Sequence, residues 1–370
     1  MTRIAYLVHD LADAQVKRRV QMLLAAGAEL QVGGFQRSAG VVPELGAPAT
    51  SFGVTLNGKL AHRALSVLRL LARSEPVRRV VQDADVVIAR TLEMLILAHG
   101  AVRGSVRRPR IVYECLDVHR SLSGSRLPHR LFRGLERRLI AASDLLITSS
   151  PRFITEHFER DGPLAIPYAI VENKVLALGD PPVPQRDIAA GPPWIIGWFG
   201  MLRCRKSLGM IEQIVAAGQG RIGLLVAGKP SYNEMPDFDA RIAAIEGARF
   251  TGAYTADDLA ALYGQTHFAW SIDFMEEGQN SAWLLPNRLY EATAYGAVPI
   301  ALEAVETGNW LRERNIGLVI ADPERDVPAA LHALDAEDYV TMQTALASLP
   351  REMLIFDRSD SDRLLELVRG

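Results

Sequence analysis

Five prolines, Pro181, Pro182, Pro184, Pro192 and Pro193, share one short mid-chain stretch with Gly179 and Gly191. Proline fixes φ and donates no N–H, so the stretch sustains neither a helix nor a central strand. On both sides the pattern is different. Before it, short apolar runs at 4–8, 29–33, 85–89, 110–114 and 145–149 read as buried strands, with helical spacing over 14–26, 60–73, 91–102 and 128–142. After it, strands are expected at 194–199, 221–227, 248–252, 268–272 and 298–302, with helices over 207–217 and 255–263 and one opening after Pro286. Strands alternating with helices imply a parallel sheet covered on both faces. At 370 residues the chain exceeds what one core usually serves. The expectation is therefore α/β, with two doubly wound domains in tandem. These would be residues 1–178 and 194–353, joined by a linker at 179–193 and followed by an amphipathic helix at about 354–370.

Composition narrows the class. Two cysteines, Cys115 and Cys204, argue against a disulfide framework and fit a reducing cytoplasm. No apolar run is long enough to span a bilayer, and the first residues read as a strand rather than a signal peptide. The net charge of −2 hides an asymmetry: residues 1–150 carry 22 Lys and Arg against 12 Asp and Glu, and the remainder 19 against 31. Arg126, Arg130, Arg133 and Arg137 recur at helical spacing, with Leu127, Leu131, Leu135 and Leu139 on another face. Arg63, Arg69, Arg73, Arg78 and Arg79 add charge in an earlier segment. This suits a helix lying on anionic lipid or gripping a lipid-linked pyrophosphate, and equally a solvated arginine face. Nucleic acid is not expected as a partner, because the basic helices lack interleaved aromatics and the total charge is not positive.

The helix after Pro286 stops at Gly296 and runs into the 298–302 strand, so Asn287, Arg288 and Glu291 fall in its first turns. Free N–H groups and the positive end of the dipole favour an anion there. A cation for phosphate and a carboxylate for sugar hydroxyls, one turn apart, describe half of a nucleotide-sugar site. The segment 197–208 offers the other half: a strand, a turn at Gly200, and Arg203, Arg205 and Lys206 just before a helix. The polar run from Asp273 to Ser281 brings Glu277, Gln279 and Asn280 ahead of the helix. Each feature also has a plainer reading, as a solvated basic turn, an exposed helical acid or a surface loop.

A cation, an aromatic, Glu291, small residues, Gly296 and a proline in this order resemble the donor-site helix of GT-B glycosyltransferases, especially the family 4-like group. Residues 197–206 are similar to that family's glycine-turn-lysine signature, with Lys206 at its lysine. The resemblance implies two Rossmann-like domains facing each other across a cleft, with the terminal helix crossing back onto the first. It implies that Glu291 binds the ribose, that Asn287 and Arg288 face the phosphates, and that main chain near Tyr254 meets the base. The polar loop before the helix could supply the sugar contacts through Glu277, Gln279 or Asn280. Three positions depart from the family: Met201 replaces its usual arginine, Trp283 its upstream glutamate, and Asp10-Leu11-Ala12-Asp13-Ala14 its glycine-rich loop.

Asp117 and His119 follow a buried strand and would sit at its carboxyl end. A carboxylate or imidazole in hydrogen-bond reach makes an acceptor hydroxyl nucleophilic. Asp117 suits the base of an inverting transfer, and His119 a donor contact in a retaining one; a capping Asp and a structural His compete with both. His9 and Asp10 are second candidates. No Cys-x-x-Cys or helical His pair points to a metal, and the resemblance implies none, with positive side chains in its place. Asp360-Ser361-Asp362 reads as surface charge. No cofactor is expected. The expected function is transfer from a nucleoside-diphosphate sugar to a carbohydrate, such as a lipid-pyrophosphate-linked oligosaccharide in bacterial exopolysaccharide or capsule synthesis. The expected place is the cytoplasm, with peripheral contact at the inner membrane face. A sugar-nucleotide 2-epimerase and a non-catalytic binding subunit are the rivals.

Overall fold

The computed structural model describes residues 1–38, 40–55, 60–105, 107–118, 127–185 and 187–370. The chain forms two compact units, Met1–Glu172 with Phe356–Gly370, and Asn173–Ile355. The boundary falls ahead of the proline-rich stretch. That stretch belongs to the second unit, where the Asp187 N–H donates to the Gly264 carbonyl at 3.0 Å.

The first unit is built on seven strands: β1 Arg3–Val8, β2 Glu29–Gln36, β3 Ala49–Val54, β4 Val86–Arg90, β5 Arg110–Cys115, β6 Leu145–Thr148 and β7 Tyr168–Ile170. They lie in the order β3-β2-β1-β4-β5-β6-β7, and every pair is parallel. Strand order reverses between β1 and β4, so the crevice for a ligand lies beyond their carboxyl ends. β4 is buried along its whole length, as a central parallel strand covered on both faces must be. The helix Arg358–Arg369 closes this unit. A capping box between Asp357 and Asp360 starts it, which gives Asp360 a structural role. It packs on the helix Ala14–Ala25, and Arg358 Nη1 donates to the Ala25 carbonyl at 3.1 Å.

The second unit opens with a short strand, β8 Val175–Leu176, and then repeats the topology. Its strands β9 Trp194–Leu202, β10 Ile222–Pro230, β11 Ala248–Phe250, β12 Phe268–Trp270, β13 Val298–Leu302 and β14 Leu318–Ile320 lie in the order β11-β10-β9-β12-β13-β14, again all parallel. Here the reversal falls between β9 and β12. Trp194, Trp198 and Trp270 fill the core beneath this sheet with Phe268 and Tyr339.

Candidate donor and acceptor sites

At the reversal of the second sheet, β9 passes Gly200, whose φ of 115° lies in glycine's territory. The helix Arg205–Ala217 then starts at Cys204. Three sequence-predicted residues meet around the loop after β12. Lys206 Nζ lies 2.8 Å from both carboxylate oxygens of Glu277 and 4.4 Å from the centroid of the Phe274 ring. Arg288, in the first turn of the helix Asn287–Ala294, is 4.0 Å from Asp273 and donates to the Trp270 carbonyl at 3.4 Å. One loop thus carries a carboxylate for each of two cations from different elements. Asn287 shares that first turn, where Pro286 provides no side-chain cap, and buried Asn280 opens the helix Asn280–Trp283. Arg203 is exposed. Arg205 is turned to Asp237, with nitrogen–oxygen distances of 2.8 and 3.2 Å, and both side chains are half in solvent.

Glu291 projects among tyrosines. It accepts a hydrogen bond from Tyr263 at 3.3 Å, and Tyr263 stacks on Tyr295 with ring centroids 5.8 Å apart. Burial, and then the Glu291 charge, push the hydroxyls of Tyr254, Tyr263 and Tyr295 above their usual range, so these phenols stay protonated and able to donate. Half-buried Tyr254 meets Phe199 edge-on. Sequence reasoning assigned no role to Tyr263 or Tyr295. Beside this cup, Gly228 N–H donates to the Gly252 carbonyl at 2.7 Å, and a Cβ on Gly228 would stand 1.8 Å from the Gly200 oxygen. The expected turn at Gly200 is strand instead: Gly200 and Gly228 face each other near the carboxyl ends of β9 and β10, and Gly252 lies just past β11. A bare backbone edge of this kind admits close approach by a phosphate or base.

Under the carboxyl edge of the first sheet lies a different arrangement. Glu114, fully buried, accepts from Arg19 at 2.6 Å and from the Tyr6 hydroxyl at 2.5 Å, with Arg90 3.7 Å away. Burial opposes the Glu114 charge, but Arg19, Arg90 and the Tyr6 hydroxyl outweigh it and hold the carboxyl below its usual range. His9, just past β1, pairs with Asp13 at 3.3 Å, and Asp10 pairs with Arg37 at 3.3 Å. Asp117 is exposed beyond β5, and its carbonyl accepts from the Cys115 thiol at 3.5 Å. His119 and Arg126 lie outside the described residues.

On the basic helix Leu127–Ala141, Arg137 and Arg138 are exposed and Ile140 is buried, but apolar side chains share the exposed side. Leu131, Phe132 and Leu135 face out at 67%, 47% and 40% exposure, while Glu136 is buried. Glu136 accepts from Tyr113 and pairs with His157, both at 2.7 Å. Arg133 and Arg137 line a small open hollow of about 80 Å³ with His157, Phe158 and Asp161, and Arg130 is exposed. Among the described residues no cluster of His, Cys, Asp and Glu could hold a metal ion, and no helix is long and apolar enough to cross a membrane.

No family model matches the chain. It is 40% identical to the succinoglycan biosynthesis protein ExoL of Rhizobium meliloti (strain 1021), over 99% of this chain and 93% of that protein. Among solved structures, sucrose-phosphate synthase from Thermosynechococcus elongatus superposes with a TM-score of 0.69 at 14% identity, covering 100% of this chain and 96% of that one. Anabaena Alr3699/HepE in complex with UDP gives 0.68 at 13% identity, covering 99% of each. At that identity the likeness speaks for the fold alone.

Proposed function

Because the chain belongs to the exopolysaccharide-type GT-B glycosyltransferases, the family that includes ExoL, we propose that it moves a sugar from a nucleoside-diphosphate sugar to a lipid-pyrophosphate-linked oligosaccharide. The observation that carries this reading is the convergence of Lys206, Arg288 and Glu291 at the strand-order reversal of the second sheet. In this reading the diphosphate takes the places of Glu277 on Lys206 and of Asp273 on Arg288. The helix N-terminus at Asn287 adds its N–H groups. Positive charge then builds no new field during the reaction; it is already aimed at the departing diphosphate, in place of a metal. Glu291, braced by Tyr263, takes the ribose hydroxyls, and Tyr254 lies by the base. Arg203 and Asn280 complete the donor contacts, and Asp117 stands on the acceptor side.

Incubating the protein with UDP-, GDP- and dTDP-sugars and an organic extract of lipid-linked oligosaccharides, while following nucleoside diphosphate release, tests this. Acceptor-dependent release supports it. Sugar isomerisation with donor alone would favour an epimerase, and no nucleoside-diphosphate binding by calorimetry would favour a non-catalytic subunit.

The same reading has the first unit resting on the anionic inner face of a membrane. Supporting it are Leu131, Phe132 and Leu135 on one basic helix and Leu65, Leu68 and Leu71 on another, all exposed. Both helices pack on the helix Leu92–Ala101, where His99 Nε2 lies 3.1 Å from the Leu139 carbonyl. Co-flotation with vesicles containing anionic lipid should be lost in a Leu131→Asp, Phe132→Asp double variant. Flotation equal to wild type would remove the membrane from the proposal.

A further inference from the structure

One ion pair of the second unit joins two side chains that the fold does not need to hold together. Lys206 Nζ lies 2.8 Å from both oxygens of Glu277, 71 residues further along the chain, yet the two side chains are 46% and 58% exposed. Exposed pairs add little to stability. The turn that carries Glu277 keeps its shape through other bonds. The Glu276 N–H donates to the Ser281 hydroxyl at 2.9 Å, and the N–H groups of Gln279 and Ser281 donate to the Glu276 carbonyl at 3.1 and 3.3 Å. Gly278 follows at φ 73°. The Glu277 carboxylate can therefore leave Lys206 and return while its backbone stays where it is.

The other acid of the loop is fixed. Asp273 is 13% exposed, its Oδ1 accepts the Met275 N–H at 2.8 Å, and its partner Arg288 also donates to the Trp270 carbonyl at 3.4 Å. The Phe274 ring, 4.4 Å from the Lys206 ammonium, gives that cation a contact besides the carboxylate. Two oxygens of one carboxylate face the ammonium as two oxygens of a phosphate group would.

We propose that Glu277 is a tethered competitor of the diphosphate: it occupies Lys206 in the empty site, gives way to the incoming diphosphate, and recaptures Lys206 as the nucleoside diphosphate leaves. The proposal rests on the nucleotide-sugar reading of this site, and it gives Glu277 a part in affinity and release rather than in holding the sugar. A carboxylate on so short a tether has an effective concentration on the order of millimolar. Dissolved anions that are more dilute do not hold the lysine against it. A nucleoside diphosphate does, because it brings more charge and is anchored on Arg288 and Glu291 as well. The exchange is non-covalent, and the same competition that weakens binding shortens the stay of the spent product.

Calorimetry of the full-length protein with UDP, GDP and dTDP at low salt tests this. For each of the three that binds the wild type, Glu277→Gln should lower Kd by about two- to fivefold, and stopped-flow displacement should show release slowed by a similar factor. A lost sugar or phosphate contact would instead weaken binding. The gain must also vanish when Lys206 is absent, so Glu277→Gln made on Lys206→Ala should leave Kd where Lys206→Ala alone puts it. Thermal melting of each variant, expected close to wild type, confirms that the site is intact. Unchanged or weaker binding in Glu277→Gln overturns the competitor, and so does a gain of the same size on Lys206→Ala, which would mark general charge repulsion. A wild-type protein that binds none of the three nucleoside diphosphates overturns the reading beneath it.

Discussion

At the reversal of the first sheet, Tyr6, Arg19, Arg90 and Glu114 are sunk out of solvent; at that of the second, Lys206, Arg205 and Glu277 stand in water above a tryptophan core. The strand order is the same in both, so topology does not decide where charge goes. Buried charges must be paired at fixed distances, which makes an edge rigid but intolerant of substitution. Exposed pairs are weak and exchangeable, which suits the proposed trade of a carboxylate for an incoming phosphate. The first edge is built to hold one geometry; the second, in the proposed reading, changes partners.

The largest effect expected is on the buried side. Glu114→Ala strands Arg19 and Arg90 and should cost about 3–5 kcal/mol in denaturant unfolding; a loss under about 1 kcal/mol would mean that the network contributes no rigidity. In the second unit the backbone, not charge, is the sensitive part. Gly228→Ala would drive a Cβ into the Gly200 carbonyl and should destabilise by about 1–3 kcal/mol. Next comes ligand exchange: Lys206→Ala or Glu291→Ala should weaken nucleoside-diphosphate binding by about tenfold or more in calorimetry, with Tm nearly unchanged. Acid should separate the two edges. The Asp13 and Glu114 carboxyls are held below their usual range when folded. Their contribution is complete above that range and is lost as pH falls through the lowered folded values. Asp13→Asn should therefore flatten the acid limb of the stability curve. The smallest effect belongs to Arg205→Ala, whose exposed pair with Asp237 should be worth under about 1 kcal/mol by thermal melting.

Much of the frame was legible in sequence because it rests on local signals. Pro286 and Gly296 punctuate elements where the structure has a helix start and a turn, whereas β9 runs through Gly200 to Leu202 instead of turning there. Lys206, Glu277, Arg288 and Glu291 are recognisable as chemistry-bearing residues. Their partners are not: Asp273, Tyr263 and Tyr295 gain their roles from contacts that no spacing reveals. The Leu127–Ala141 helix shows a second limit. Periodicity announces two faces but not which one points inward, and here Glu136 is buried while Leu131 is exposed. Thr91, at φ 86° ahead of the helix Leu92–Ala101, gives no signal at all, because a left-handed threonine looks like any other in a sequence.

The helix Arg358–Arg369 has a consequence for how the molecule is made. It supplies Leu364 and Val368 to a unit whose other residues end at Glu172, and the whole second unit is threaded between the two pieces. During translation the second unit can finish folding as soon as Ile355 has cleared the ribosome. The first, begun earlier, must wait with the docking face of its helix Ala14–Ala25 uncovered. The part that emerges first is the part completed last, and a chain stopped short of Arg358 would carry a finished second half and a permanently open first.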